Sequence, residues 1–210
     1  MKMRIAAVAI VAFALTPMAS AEPSFDCSKA QTAAEKRVCN DRELQWSDRQ
    51  LARLYALALK EVSAADRPAL VESQRRFLAE RDACGTVPLG CVEHLYDVRL
   101  QELAKRVNVH DAYAMFARGN TGGLRIVRFG SVGAVDLWAT GENHHECGFE
   151  EDDLVQTGKG ILRFHAKSGD ELCRMNIIPD GDDMRVEIEE GCRSYCGHRA
   201  HMDGTYTRIK

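Results

Sequence analysis

Eight cysteines constrain this 210-residue chain more than any other feature. They divide evenly between the two halves of the chain: Cys27, Cys39, Cys84, Cys91, then Cys147, Cys173, Cys192, Cys196. In an exported protein an even number of cysteines predicts disulfide bonds, whereas in a cytosolic protein the same residues indicate metal or redox chemistry first. The compartment therefore decides what the cysteines imply.

Residues 1–21 have the pattern of a cleavable signal peptide. Lys2 and Arg4 form a basic start, residues 5–15 are an unbroken apolar run, and Ala19-Ser20-Ala21 supplies small residues for cleavage. The run is too short to cross a bilayer as a helix, which takes about 20 residues. We therefore predict a periplasmic or secreted protein that begins near Glu22, with disulfide-bonded cysteines and no membrane span after cleavage.

The charge distribution argues against one class of partner. Cleavage removes two of the 28 basic residues and none of the 31 acidic ones, so the net charge falls from −3 to −5. Residues 22–108 are neutral overall, and residues 109–210 carry the whole excess. Affinity for nucleic acid comes mainly from Lys and Arg on phosphates, so a nucleic-acid partner is disfavoured. A cationic protein is permitted, and the second half would attract it.

Residues 22–108 repeat their apolar positions with the period of a helix. Thr32 and Glu35 form a capping box that starts a first helix, and Asp41 can start the second. Asp66 caps a third helix and Cys91 opens a fourth. Four helices with short connections predict a small bundle.

Polar residues fall on or beside the predicted inner faces of these helices: Asp48, Gln74, Arg81 and Arg99. An unpaired buried charge is prohibitively costly, so these side chains should pair with one another inside the bundle. The alternative is a ligand site within the bundle, but no histidine or nucleophile joins the set.

The cysteine spacing and the helix pattern together resemble a known family. The first part of the pattern is Ser24-Phe25-Asp26-Cys27, Thr32, Glu35, Cys39, Leu44, Asp48, Leu51 and Tyr55. The second part is Gln74-Arg75-Arg76-Phe77-Leu78, Arg81-Asp82, Cys84, Cys91, Tyr96, Arg99 and Leu103. Over about residues 24–105 this order resembles the N-terminal domain of the LprI lysozyme-inhibitor family, with Phe77 where that family commonly has Trp. The resemblance implies an exported, disulfide-bonded helical domain and, for the namesake, inhibition of lysozyme.

Four cysteines in the helical half allow three pairings. Antiparallel helix geometry favours Cys27–Cys91 and Cys39–Cys84, which would join the start of the domain to its end and the first helix to the third. In the second half, Cys147 and Cys173 could link neighbouring strands, while Cys192 and Cys196 lie close together near the C-terminal strand.

Residues 124–210 predict a small β domain, after a linker or short helix at 109–123. Short β-rich runs alternate there with Gly, Asp and Asn, at residues 124–129, 132–139, 160–166, 172–178, 184–188 and 205–209. The fold class is therefore α+β, with an N-terminal disulfide-linked helical bundle at 22–108 followed by a small antiparallel β barrel or sandwich.

The sequence does not favour a metal site or an enzyme. Cys192, Cys196, His198 and His201 offer zinc-binding side chains, yet zinc fingers separate their two ligand pairs by about a dozen residues. The motifs G-x-S-x-G, H-E-x-x-H and C-x-x-C are missing, as is a Gly-rich phosphate loop. We predict a non-enzymatic protein with no cofactor and no metal.

Acidic loops of the second half form the predicted partner-binding site: Glu150, Glu151, Asp152, Asp153, Asp180, Asp182 and Asp183. Any one of these groups is accounted for by solubility alone, but together they would steer a strongly basic enzyme to this half. The leading hypothesis is a protein that binds and occludes a cationic lysozyme-type muramidase. The alternative is an envelope adaptor or toxin-neutralising, immunity-like protein that binds another protein through its helices.

Overall fold

The computed structural model describes residues 22–84, 90–168 and 171–209, and for residues 167 and 168 it describes the backbone. The predicted signal peptide lies outside the described residues. The helices are α1 (Ala33–Asn40), α2 (Arg42–Glu61), α3 (Arg67–Cys84) and α4 (Cys91–Ala104). The strands are β1 (Tyr113–Ala117), β2 (Gly122–Arg128), β3 (Val132–Thr140), β4 (Glu146–Gln156), β5 (Leu162–Ser168), β6 (Glu171–Asp180), β7 (Asp183–Glu190) and β8 (Gly204–Arg208). The predicted α+β class is confirmed, and the β domain is a barrel.

Local signals place the helices where the sequence predicts them. Thr32 Oγ1 accepts a hydrogen bond from the backbone N of Glu35 at 3.1 Å, and the Glu35 carboxylate accepts from the backbone N of Thr32 at 3.0 Å. Asp41 caps α2 by accepting from the backbone N of Leu44. Such caps satisfy N–H groups that have no partner within the helix. None of the helices described for residues 22–209 is long and apolar enough to span a membrane.

The polar residues inside the bundle pair with one another, as predicted. The Tyr96 hydroxyl donates to Asp48 Oδ1 at 2.8 Å, and Arg81 reaches the same hydroxyl oxygen at 3.5 Å. Arg99 Nε donates to Gln74 Oε1 at 3.1 Å. Burial, with the Asp48 carboxylate beside it, raises the pKa of Tyr96. This network holds α2, α3 and α4 together and satisfies the groups that would otherwise make the bundle unstable.

The predicted pairing of the first four cysteines is wrong. Cys27 is bonded to Cys39 and Cys84 to Cys91, across 12 and 7 residues of sequence. Cys27 lies in a 3₁₀ turn directly before α1, and a helix of eight residues is short enough for its last turn to meet that turn. Cys84 ends α3 and Cys91 starts α4. Both bonds therefore close local chain reversals and do not join distant helices.

The eight strands form a closed antiparallel barrel in sequence order, and β1 pairs with β8 to complete it. Its interior is filled by apolar side chains from every strand, among them Phe116, Leu137, Phe149, Met175 and Tyr206. Closure leaves no unpaired edge strand.

The first strand was missed by the sequence prediction, because residues 109–123 contain β1 and the start of β2 and do not form a linker or helix. In β1, Ala114 and Phe116 face the barrel interior, while Tyr113 and Met115 pack with the core of the helical domain. A strand buried on both faces lacks the polar alternation by which strands are recognised in a sequence.

The second missed strand is β4, which contains the acidic run that the sequence suggested was a loop. Cys147 and Phe149 point into the barrel, and the run from Glu150 to Asp153 continues the same strand. Glu150 and Asp152 face α2, whose arginines balance their charge. The strand therefore tolerates Glu150, Asp152 and Asp153 because arginines of the helical domain lie beside them.

The helical domain packs on the outer wall of the barrel. Tyr113, Val127 and Ala134, from β1, β2 and β3, belong to the same buried cluster as Trp46 and Leu100 of the helices. The two domains thus share one continuous apolar core at their junction, which fixes one domain against the other.

Candidate functional site

The antiparallel order divides the loops between two ends of the barrel. The β2–β3, β4–β5 and β6–β7 connections share one end, which we call the near end because Phe129 of the first connection packs with the helices. The β1–β2, β3–β4 and β7–β8 connections share the other end, which we call the far end. The helical domain packs around the near end, where Val127, Phe129 and Ala134 join its core.

The predicted acidic residues of β4 contact the helical domain of the same molecule. Arg49 Nε donates to Asp152 Oδ2 and Gln50 Nε2 to Asp152 Oδ1, each at 2.8 Å. Arg53 Nη2 donates to Asp153 Oδ1 at 2.7 Å. These carboxylates therefore hold α2 against β4.

Two other carboxylates of the run are also in part withdrawn from solvent. Glu150 lies 3.9 Å from Arg42 Nε and 4.0 Å from Arg49 Nη2, which is too long for a direct hydrogen bond. The Glu151 carboxylate accepts from the backbone N of Asp152 at 3.2 Å. The run is thus ordered mainly by contacts within the molecule.

The second predicted acidic group, Asp180, Asp182 and Asp183, lies at the β6–β7 turn of the near end. Asp180 and Asp183 pair across the hairpin, and Gly181 between them has a φ of 65°, in the region that favours glycine. Asp183 Oδ1 accepts from the backbone N of Arg208, while Asp180 and Asp182 are exposed. The structure therefore does not bring the two acidic groups into one site.

Glu150 gives a testable pH dependence. Burial, with the nearby Asp136 carboxylate, raises the pKa of Glu150 from 4.5 to about 7, although Arg42 and Arg49 oppose the shift. Between these values the folded state holds a proton that the unfolded state has released, so stability falls as the pH rises from about 4.5 to 7. Replacement Glu150→Gln should raise the free energy of unfolding at pH 8 by roughly 1–3 kcal/mol and leave it unchanged at pH 4.

Urea denaturation at both pH values measures this effect. The matched control is Glu146→Gln, which removes an exposed carboxylate at the start of the same strand and should change stability little at either pH. Equal effects of Glu150→Gln at pH 4 and pH 8 would contradict the raised pKa.

At the far end, two disulfides fix the β7–β8 connection, residues 191–203. Cys192 is bonded to Cys173 of β6, and Cys196 to Cys147 of β4. The predicted link between Cys147 and Cys173 is therefore wrong, because β4 and β6 are separated by β5 and are not neighbours. Each bond instead joins a barrel strand to the connection that crosses this end.

Hydrogen bonds complete the fixation of this connection. The backbone N of Gly197 donates to the carbonyl of Glu146 at 2.8 Å, and Asn143 Nδ2 donates to the carbonyl of His198. Arg118 of the β1–β2 connection donates to the carbonyls of His201 and Asp203 at 3.1 and 2.7 Å. Three far-end connections are therefore tied together.

Residues 197–201, which we call the tip, carry exposed basic and imidazole side chains: His198, Arg199 and His201. The φ of Arg199 is 61°, a left-handed conformation that is uncommon for a residue other than glycine. The tip lines a cavity of about 600 Å³ beside both disulfides. The sequence alone offers the histidines of the tip only as candidate metal ligands. In the part of the chain that the structure describes, no group of three His, Cys, Asp or Glu side chains could hold a metal ion.

The elements of the far end also carry exposed carboxylates, which we call the acidic rim: Glu142, Glu146, Glu189 and Asp203. They come from the β3–β4 connection, the start of β4, the end of β7 and the β7–β8 connection. The sequence contains the C-terminal cysteines and the basic residues that follow them. Only the disulfide pairing shows that these residues lie together at the far end of the barrel.

Comparison with known proteins concerns the helical domain. Residues 27–103 match the family model described as Lysozyme inhibitor LprI. Proteins named Lipoprotein LprI, from Mycobacterium bovis and Mycobacterium tuberculosis, are 37% identical over 91 residues, which is 42% of this chain and 45% of each relative. The matched part thus spans less than half the length of these curated relatives, and no solved structure was found that matches the chain.

The observed domain has the features that the resemblance implies. It contains four helices and two disulfides, and Phe77 is buried edge-on against Tyr96 at 5.4 Å between ring centroids. The family match ends at residue 103, before β1 begins at Tyr113. The helical half of this chain is therefore similar to the LprI family over residues 27–103, and it is joined to a barrel that the family model does not cover.

Proposed function

We propose that this protein binds a lysozyme-type muramidase and inhibits it by covering its substrate cleft, with no catalytic step of its own. The observation that carries the proposal is the match of residues 27–103 to a family of lysozyme inhibitors. The polar groups Asp48, Arg81 and Arg99 inside that domain hydrogen-bond to neighbouring side chains and hold the helices together.

Export to the cell envelope, as a periplasmic or secreted protein, is part of the same proposal. All eight cysteines are in disulfide bonds, which persist outside the reducing cytoplasm. The relatives over the helical domain are named lipoproteins, which fits an envelope location. The signal-peptide pattern of residues 1–21 supplies the route.

The acidic surface supports a cationic partner. The second half carries the negative charge of the chain, and both the acidic rim and the Asp180–Asp183 turn expose carboxylates. Such a surface speeds the approach of a basic enzyme and favours it over acidic competitors. The contacts of Asp152 and Asp153 with α2 keep the two domains aligned, so that the partner meets one rigid surface.

Inhibition of purified lysozymes of several structural classes by the full chain, residues 22–210, tests the proposal. We expect inhibition of at least one class at micromolar protein and low salt. Inhibition should weaken as the ionic strength rises to 0.3 M, because salt shortens the distance over which exposed charges attract each other.

A matched pair of variants separates charge from folding. The variant Asp180→Asn, Asp182→Asn lowers the negative charge of the barrel, and Glu72→Gln, Glu80→Gln lowers that of the helical domain by the same amount. The first should slow association more than the second if the barrel attracts the partner. Absence of inhibition for every class at micromolar protein and low salt would overturn the proposed function.

A further inference from the structure

We propose that the tip, residues 197–201, enters the substrate cleft of the muramidase and that Arg199 pairs there with the catalytic carboxylates. The inference rests on the proposed function and names the residues that would carry it out. It assigns a role to the barrel, which the family match does not cover.

The chemistry of the cleft selects a cation. Glycoside hydrolases of this kind act through a pair of Asp or Glu side chains beside the scissile bond. An inhibitor that places a carboxylate there meets like charge, whereas a guanidinium forms charge-assisted, often bidentate hydrogen bonds with carboxylates. The acidic surfaces of this protein therefore suit the outside of a basic enzyme, and a basic side chain suits its cleft.

Arg199 is the side chain best placed for this contact. It is exposed, and none of the ion pairs within 4.0 Å among the described residues involves it. It lies between His198 and His201, which are also exposed and can donate hydrogen bonds. The three side chains line a cavity of about 600 Å³ at the far end, and Arg199 and His201 also line a second cavity of about 380 Å³.

The tip is held in shape before any partner arrives. The Cys147–Cys196 bond precedes it by one residue, and Arg118 holds the carbonyls of His201 and Asp203 after it. The left-handed conformation of Arg199 persists because these contacts fix the chain on both sides. A loop that is already ordered loses little entropy on binding.

The acidic rim makes the far end complementary to a basic enzyme with an acidic cleft. Glu142 and Glu146 come from the β3–β4 connection and the start of β4. Glu189 and Asp203 come from the end of β7 and from the β7–β8 connection that carries the tip. In this protein a positive charge, Arg199, lies among negative rim residues. In a basic muramidase the arrangement of charges is the opposite, with a pair of catalytic carboxylates within a positive surface. Complementary potentials of this kind fix the orientation of two partners.

The near end is less suited to the same role. Its exposed carboxylates, Asp180 and Asp182, would meet the catalytic pair with like charge. The carboxylates of β4 already contact α2. The far end is thus the surface on which the charges of both the acidic rim and Arg199 are complementary to those of the enzyme.

The test is the dissociation constant of the full chain with a lysozyme that it inhibits. Arg199→Asn removes the charge with a residue that tolerates the left-handed conformation. We expect the Kd to rise about 10–100-fold, as for loss of an interfacial charge pair. The control Arg163→Asn removes an exposed guanidinium from β5 and should change the Kd less than about threefold.

A double-mutant cycle identifies the contact. Against a lysozyme whose two catalytic carboxylates are replaced by amides, the wild-type chain should bind more weakly, and Arg199→Asn should cause less than about a threefold further loss. Unchanged affinity and inhibition for Arg199→Asn overturn this inference while leaving the proposed function intact. Failure of the wild-type chain to inhibit any lysozyme overturns the proposed function and the inference with it.

Discussion

Replacement of Arg125 by alanine is expected to lower the free energy of unfolding by about 3–5 kcal/mol, because it breaks a buried ion pair by removing one partner. Arg125 projects from β2 into the junction between the domains, with 12% of its side chain exposed. It binds Asp136 of β3, which is 5% exposed, through Nε at 2.8 Å and Nη2 at 2.6 Å. Removing the guanidinium leaves that carboxylate buried without its cation.

The same guanidinium also reaches the helical domain. Nη1 donates to Ser47 Oγ at 3.0 Å and lies 3.3 Å from Asp97 Oδ1. The Arg125 Cζ lies 4.9 Å from the ring centroid of Trp46, which is fully buried. The lost contacts therefore include a cation–π interaction and two links between domains, and the variant should loosen the junction as well as the barrel.

Urea denaturation followed by circular dichroism measures this loss. Arg185→Ala is the matched control, because that arginine pairs with Glu187 on the open surface and should contribute less than about 1 kcal/mol. The double replacement Arg125→Met, Asp136→Leu should recover much of the stability, since it removes both charges together. A loss below about 1 kcal/mol for Arg125→Ala would show that this cluster does not hold the junction.

The helical half could be predicted from the sequence because its signals are local. The caps at Thr32 and Asp41 act within one helical turn, and the pairing of Asp48 with Arg81 through Tyr96 follows from the cost of leaving buried charges alone. The disulfides of this half could not be predicted in the same way. Their pairing depends on how short α1 is and on where α3 and α4 end, and these boundaries are the least certain part of such a prediction.

The barrel was predicted only in outline because its two missed strands depend on the helical domain. Four acidic residues in succession indicate a loop unless arginines from elsewhere neutralise them, and Arg49 and Arg53 lie about 100 residues earlier in the chain. The apolar outer face of β1 likewise makes sense only with helices packed on it. Long-range neutralisation and burial, rather than local propensity, therefore determine this half.

The candidate site shows the same limit. The sequence shows that the second half has an excess of acidic residues. Only the fold shows that these residues lie at three separate places: the domain junction, the β6–β7 turn and the acidic rim. Arg199 carried no signal of its own, because its exposure and its position between two histidines become meaningful only when Cys147 and Cys196 fix the far end.

Loss of the Cys147–Cys196 bond, in the variant Cys147→Ala, Cys196→Ala, is expected to lower the free energy of unfolding by about 4 kcal/mol. The bond closes a stretch of 49 residues that contains most of β4, all of β5 to β7 and the start of the β7–β8 connection. Opening so long a loop restores much chain entropy to the unfolded state. The Cys84–Cys91 bond closes only seven residues, and its removal should lower stability by about 2–3 kcal/mol.

Comparing the two double-alanine variants by urea denaturation tests both the pairing and its consequence for binding. Loss of Cys147–Cys196 should also weaken inhibition, because the tip begins one residue after Cys196 and would no longer be held before binding. Loss of Cys84–Cys91 should leave the tip in place and lower inhibition only through stability. If instead the helical disulfide proves the more important for inhibition in fully folded protein, the contact with the enzyme lies on the LprI-type domain, and the far end of the barrel has another role.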